Sequence, residues 1–186
     1  MSATLNPFGL RCAYHPTGST RGKKYTIASG YNTAIYKQDP VILSTNGTIT
    51  IGTAAADILG TFLGCEYTDS GTGKRVVSDY WPASQAATDI VAWVDDDPNT
   101  VYEVQANGSI AQTAIGDQAD IVMNGGSTST GLSAAALSST LAGAGAQAQF
   151  RIVGFGGALD NAVGDAYTVV QVKIARHQFV SNKVAI

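Results

Sequence analysis

Short apolar runs, broken by glycine, asparagine and proline at even spacing, recur along this chain, while helical periodicity is scarce. That rhythm constrains the fold more than any other feature, because regularly spaced strands with tight turns can bury their apolar faces only in layered or closed sheets. Thr33–Tyr36 and Val41–Leu43 are short β-prone runs. Asn46-Gly47 follows as a tight turn, since both residues tolerate positive φ, and Thr48–Ile51 returns as the partner strand. Ile58–Tyr67 is long and apolar, with Gly60 and Gly64 placed for a bulge or bend. Lys74–Val77 pairs back after Ser70-Gly71-Thr72-Gly73. Ile90–Val94, the turn Asp96–Asn99, Val101–Ala106, a second Asn107-Gly108 turn, Phe150–Val153 and Tyr167–Ile174 complete the pattern. In the last run Thr168, Val170, Val172 and Ile174 share one face. The expectation is one all-β domain over 25–186, a small β-barrel or β-sandwich, with β-tulip and OB-like arrangements included. Its expected core contains Ile42, Ile51, Phe62, Val91, Ile152, Val170 and Val172.

One region departs from the rhythm. Twenty of the 25 residues over 124–148 are Gly, Ala, Ser or Thr. Leu137 and Leu141 have helical spacing, but the Ser/Thr content makes a helix poor. A long small-residue loop is expected, with a flat surface against a partner as the alternative.

The chain has 186 residues, and only 13% are charged, about half the usual share. The net charge of −3 hides a split. Arg11, Arg21, Lys23, Lys24 and Lys37 all precede the first acid, Asp39. Between Val76 and Phe150 there are eight acids and no Lys or Arg. A basic lead segment points to contact with something acidic. Five charges with interleaved Phe8, Tyr14, Tyr25, Tyr31 and Tyr36 make a thin nucleic-acid footprint, and no binding motif accompanies them. Residues 1–24 therefore read as an extended N-terminal arm lying on a protein surface. No apolar run reaches the roughly 18 residues of a membrane span.

Motifs that carry chemistry are incomplete. Gly73-Lys74 lacks the Ser/Thr of a phosphate loop, with Arg75 in its place. Gly154–Leu159 lacks the last glycine of a dinucleotide loop. Asp95, Asp97 and Asn99 match the first calcium-ligand positions of an EF-hand, but Thr100 and Ala106 replace the required Gly and Glu. Cys12, Cys65, His15 and His177 do not form the paired knuckles of a zinc site, and both thiols read as buried and inert. Asn46-Gly47-Thr48 and Asn107-Gly108-Ser109 fit glycosylation sequons but read better as hairpin turns. No enzyme, cofactor or metal is expected. Trp81 and Trp93, with Asp79 or Asp95 nearby, are the residues a sugar-binding module would use, and core or interface packing is their simpler reading.

Segments in order along the chain resemble the head decoration (cement) proteins of tailed bacteriophages: NPFGLRCAYHPTG, IASGYNTAIYKQDPVIL, GTFLGCEYTD, SDYWPAS, DDPNTVYEVQA, IGDQADI and GDAYTVVQVKIARHQ. The pattern departs at Gln38, where such proteins often have the glycine of a Gly-Asp-Pro-Val turn. The resemblance implies a small β-rich virion structural protein on the outer surface of the capsid, assembled in the host cytoplasm. Its partners would be the major capsid protein and neighbouring copies of itself, as a trimer or another homo-oligomer, with no direct nucleic-acid or membrane contact. Phe8, Arg11, Tyr14 and Arg21 in the arm, with Trp81, are the expected capsid-binding residues, since aromatics and Arg dominate interface energetics. The alternative is another non-enzymatic virion module, such as a tail tube or a head-fibre or adhesin component.

Overall fold

The computed structural model describes residues 4–143 and 145–180. Residues 1–3 of the expected arm and Ala144 of the small-residue segment lie outside them. Among the described residues twelve strands form two six-stranded antiparallel sheets, a β-sandwich and not a closed barrel. In chain order they are β1 (Arg11–Tyr14), β2 (Gly22–Tyr25), β3 (Pro40–Leu43), β4 (Ile49–Ile51), β5 (Gly60–Thr68), β6 (Arg75–Ser78), β7 (Val91–Asp95), β8 (Val101–Gln105), β9 (Gln118–Val122), β10 (Ala136–Leu141), β11 (Phe150–Phe155) and β12 (Val169–Ile174). The first sheet runs β1-β8-β12-β11-β9-β10. The second runs β2-β7-β5-β3-β4, with β6 also paired to β5.

Local chemistry explains several of these elements. Gly47 takes φ +74° at the turn joining β3 and β4, and Val41 faces Ile51 across that hairpin. Gly64 sits at a register shift in the β5–β7 pairing with φ +144°, the bulge expected of a glycine inside a long strand. β12 alternates as its sequence indicates: Thr168, Val170 and Val172 are fully buried and Ile174 nearly so. The apolar core is in two parts. Tyr102, Val104, Phe150, Ile152, Val170 and Val172 lead the part under the first sheet. Phe62, Ala92, Val94 and Trp81 lead the part under the second.

Some expectations change. Ile42 and Ile51 pack against the core but are only half-buried. Val91 is half-buried too, because Ile90, Ala92 and Val94 take the inward positions, one residue out of step with the expected face. Thr33–Tyr36 is not a strand; Ile35 makes an isolated bridge to Trp81. Asn107-Gly108 is not a hairpin turn, since β8 lies between β1 and β12, and Asn107 instead bonds Leu137 and Ser139 of β10. The small-residue segment is not simply a loop: it supplies β10, with Ala135, Ala136 and Leu137 buried. Small side chains let that strand lie close against β9 and the Asn107 turn.

The largest change concerns the N-terminal arm. The segment is extended, but it lies on its own domain. β1 pairs with β8 at the edge of the first sheet, and β2 pairs with β7 at the edge of the second. Residues 15–21 carry the chain between them. Leu10 is fully buried in the core under the first sheet. Leu10→Ala is therefore expected to cost about 2–5 kcal/mol of unfolding free energy in a urea titration. A loss under about 0.5 kcal/mol, as for an ordinary surface substitution, would mean that the segment is a detachable arm.

Candidate binding surface

What fixes the N-terminal segment is a turn built on a buried carboxylate. Asp39 is fully buried. Ser133 Oγ donates to its Oδ1 at 2.5 Å, and the Tyr36 amide donates to its Oδ2 at 2.8 Å. Gln38 is thereby held at φ +74°, in the left-handed region that glycine adopts most easily. Its amide donates to the Phe62 carbonyl at 2.7 Å, and its carbonyl accepts the Leu10 amide at 2.8 Å. The Gly9 amide reaches the Ala135 carbonyl at 3.1 Å, and Thr61 Oγ1 donates to the Leu10 carbonyl at 3.2 Å. A Cβ on Gly9 would meet Gln38 O at 2.4 Å and Ser133 Cβ at 2.7 Å, so only glycine passes here.

A second clamp holds the segment further out. Gln105 accepts from the Asn6 amide at 2.8 Å and donates to the Thr4 carbonyl at 3.1 Å. Gln105 projects from the outer face of β8, since Val104 and Ala106 point into the core. Residues 4–8 therefore lie across the outer face of the first sheet. There the Arg11 guanidinium stands 4.6 Å over the Phe8 ring and pairs with Glu103 at 2.5 Å.

Of the five residues expected to bind a partner, the structure brings Phe8 and Arg11 together in that stack. Tyr14 is 51% exposed on β1. Arg21 is exposed just before β2, where it lines a cavity of about 240 Å³ with His15, Lys23, Asp96 and Asp97. Trp81 is not on this surface: it is fully buried, stacks edge-on against Tyr67 and donates its indole N–H to the Tyr31 carbonyl at 3.3 Å. Its place is the core under the second sheet. Trp93, by contrast, is half-buried on the opposite face of β7.

The basic charge of the segment is spent largely at home. Lys23 pairs with Asp96 at 2.9 Å and Lys37 with Asp79 at 2.9 Å. The Tyr25 hydroxyl also donates to Asp96, and burial with that carboxylate pushes the phenol up. His15 Nε2 lies 3.2 Å from Asp97, close enough for an ion pair but off the line of a hydrogen bond. The Asp95–Asn99 run is a turn that bonds mostly to itself, while Asp95 Oδ2 is buried without a hydrogen-bond partner among the described residues. Asp95 Oδ1 accepts from the Asp97 amide and Thr100, and Asp97 accepts from the Asn99 amide at 2.8 Å, which holds its carboxyl down. Burial pushes the Asp95 carboxyl up. His177 is a core histidine: it accepts from the Phe179 amide at Nδ1 and turns Nε2 to the Asp96 carbonyl at 3.1 Å. Cys65 is buried and its thiol is pushed up to about 12, whereas Cys12 is exposed on β1.

Sequence reasoning missed Asp39, Ser133 and Gln105. Gln38-Asp39-Pro40 has the composition of a turn, and nothing local to residue 39 announces its partner 94 residues away. Burial lifts the Asp39 carboxyl to about 6, against the lowering effect of its two hydrogen bonds. An unfolded Asp titrates near 3.9. The folded state therefore holds the proton more tightly, and this contribution is complete below about pH 4 and lost as pH rises through about 6. The stability of the wild type relative to Asp39→Asn is expected to fall by roughly 2–3 kcal/mol between pH 4 and pH 7. A pH-independent difference in chemical denaturation would contradict the buried-carboxyl account.

No family model matches the sequence, and no curated protein or solved structure matches it.

Proposed function

We propose that this chain is a head decoration protein that fastens to the outside of a phage capsid and stabilises its shell. The observation that carries the reading is the meeting of two segments of the resemblance, NPFGLRC and KQDPV, in the Asp39 turn. Gln38 there has the left-handed backbone suited to the glycine of the Gly-Asp-Pro-Val turn. The surface beside that turn supports the same reading. All four residues of β1 are exposed, β1 is the edge of its sheet, and the segment before it lies flat over the sheet's outer face. An edge strand carrying Arg11 and Tyr14, with Phe8 just before it, offers backbone pairing and side-chain anchors to a protein partner. Repetition over a shell multiplies such contacts, because each bound copy raises the local concentration of sites for the next.

The test is co-sedimentation of the purified protein with shells assembled from the candidate major capsid protein of the genome that encodes this chain. Binding at saturating stoichiometry is expected, with Tyr14→Ala weakening it about 10-fold while changing free-protein stability by less than about 0.5 kcal/mol. Absence of binding, or labelling of tails alone in tagged particles, would overturn the reading.

A further inference from the structure

We propose that Arg151 and Lys173 form a docking point for carboxylates of a partner protein, on the outer face of the first sheet. The proposal rests on the decoration reading for the partner's identity, though not for the chemistry.

Phe150, Ile152 and Val172 are fully buried and Ile174 nearly so. Strand alternation therefore sends Arg151 and Lys173 to the opposite, outer face. The register of β11 and β12 sets them directly opposite each other. Side chains so placed have Cβ atoms about 4.5–5.5 Å apart, and like charges in that position destabilise a sheet. Half of the cations among the described residues are neutralised within the domain. Arg11, Lys23, Lys37, Arg75 and Arg176 each lie within 4.0 Å of a carboxylate, at the distances of an ion pair. Arg151 and Lys173 have no such partner among the described residues. Arg21, Lys24 and Lys74 also lack one, but none of them faces another cation across a strand pair.

Acids share this face, but two of them are already engaged. Glu103 is engaged by Arg11 at 2.5 Å, and Asp120 accepts the Gln149 amide at 3.0 Å. These flanking acids decide the kind of partner. A nucleic-acid backbone crossing the face would meet Glu103 and Asp120 as well as the two cations. One carboxylate, or a pair, can be taken between the Arg151 fork and the Lys173 ammonium without that conflict. Val153, 36% exposed on the same face of β11, adds an apolar contact beside the charges. The Gln105 clamp lays residues 4–8 over the other end of this face, so Phe8, Arg11, Arg151 and Lys173 all belong to one surface.

Two experiments on the full chain separate this proposal from the decoration reading. The first is an NMR titration with a hexa-aspartate peptide. Shifts centred on Gln118, Arg151, Gln171 and Lys173 are expected, suppressed by high salt and lost in the double variant Arg151→Gln/Lys173→Gln. No shifts, or shifts centred elsewhere, overturn the docking point. The second is shell co-sedimentation of the same variant. A loss of about 10-fold or more is expected, with the Tm of the free protein unchanged or raised because a repulsion is gone. Wild-type affinity in the variant overturns the docking point and leaves the decoration reading intact. If the wild type itself does not bind shells, the decoration reading falls, and the peptide titration alone decides the docking point.

Discussion

The buried Asp39 carboxyl is the interaction on which the rest of the structure depends. It fixes the backbone of residues 36–39 so that three other segments bond to that short turn. The Leu10 amide and the Phe62 amide and carbonyl bond to residues 38 and 39. Lys37 exchanges bonds with Gly131 and Ser133, and Ser133 closes the network on the carboxyl itself. Buried polar groups are costly unless satisfied, so this network is either whole or strongly destabilising. Its position explains why the apolar core has two parts. Leu10 and Ala135 belong to one, Val41 and Phe62 to the other, and the polar turn joins them. Gln149 makes a second join, holding the carbonyls of Thr53 and Ala56 with one amide while accepting from Ile121.

That arrangement also accounts for the scarcity and placement of charge. Only 13% of residues are charged, and the positive ones gather before Asp39. Taken as a pattern, this suggests a basic arm reaching for an acidic partner. In the folded chain the acidic partner is mostly the domain itself: Glu103, Asp96 and Asp79 take Arg11, Lys23 and Lys37. The lead segment becomes an edge strand on each sheet. Among the described residues the cations left without an ion pair are Arg21, Lys24 and Lys74, and Arg151 and Lys173 opposite each other on the first sheet.

Much of the β framework was legible from residue order. Asn46-Gly47 announces the β3–β4 hairpin, Gly64 the bulge, and the alternation after Thr168 the buried face of β12. These are local effects of backbone freedom and side-chain period. The remainder depends on distant partners. Asp39 in Gln-Asp-Pro has a solvent turn's composition, yet Ser133 buries it. Tyr80-Trp81-Pro82 suggested an exposed anchor, yet the loop at Tyr31 and Tyr67 of β5 enclose the indole. Val91 differs from Ile90 by one step of a two-residue period, and only cross-strand register decides which points inward. The segment over 124–148 has only Leu132, Leu137 and Leu141 as large apolar residues, so its strand is invisible until β9 is beside it. For the candidate surface, aromatic and Arg content picked out Phe8 and Arg11, while Arg151 and Lys173 emerge only when the pairing of β11 with β12 is known.

Native-state hydrogen exchange at the Leu10 amide tests the central claim most directly. If the Asp39 turn locks the N-terminal segment into the sandwich, Leu10 will exchange through the same opening as Phe62, with protection free energies equal within about 1 kcal/mol. Exchange of Leu10 at the rate of an unstructured peptide, while Phe62 stays protected, would contradict it.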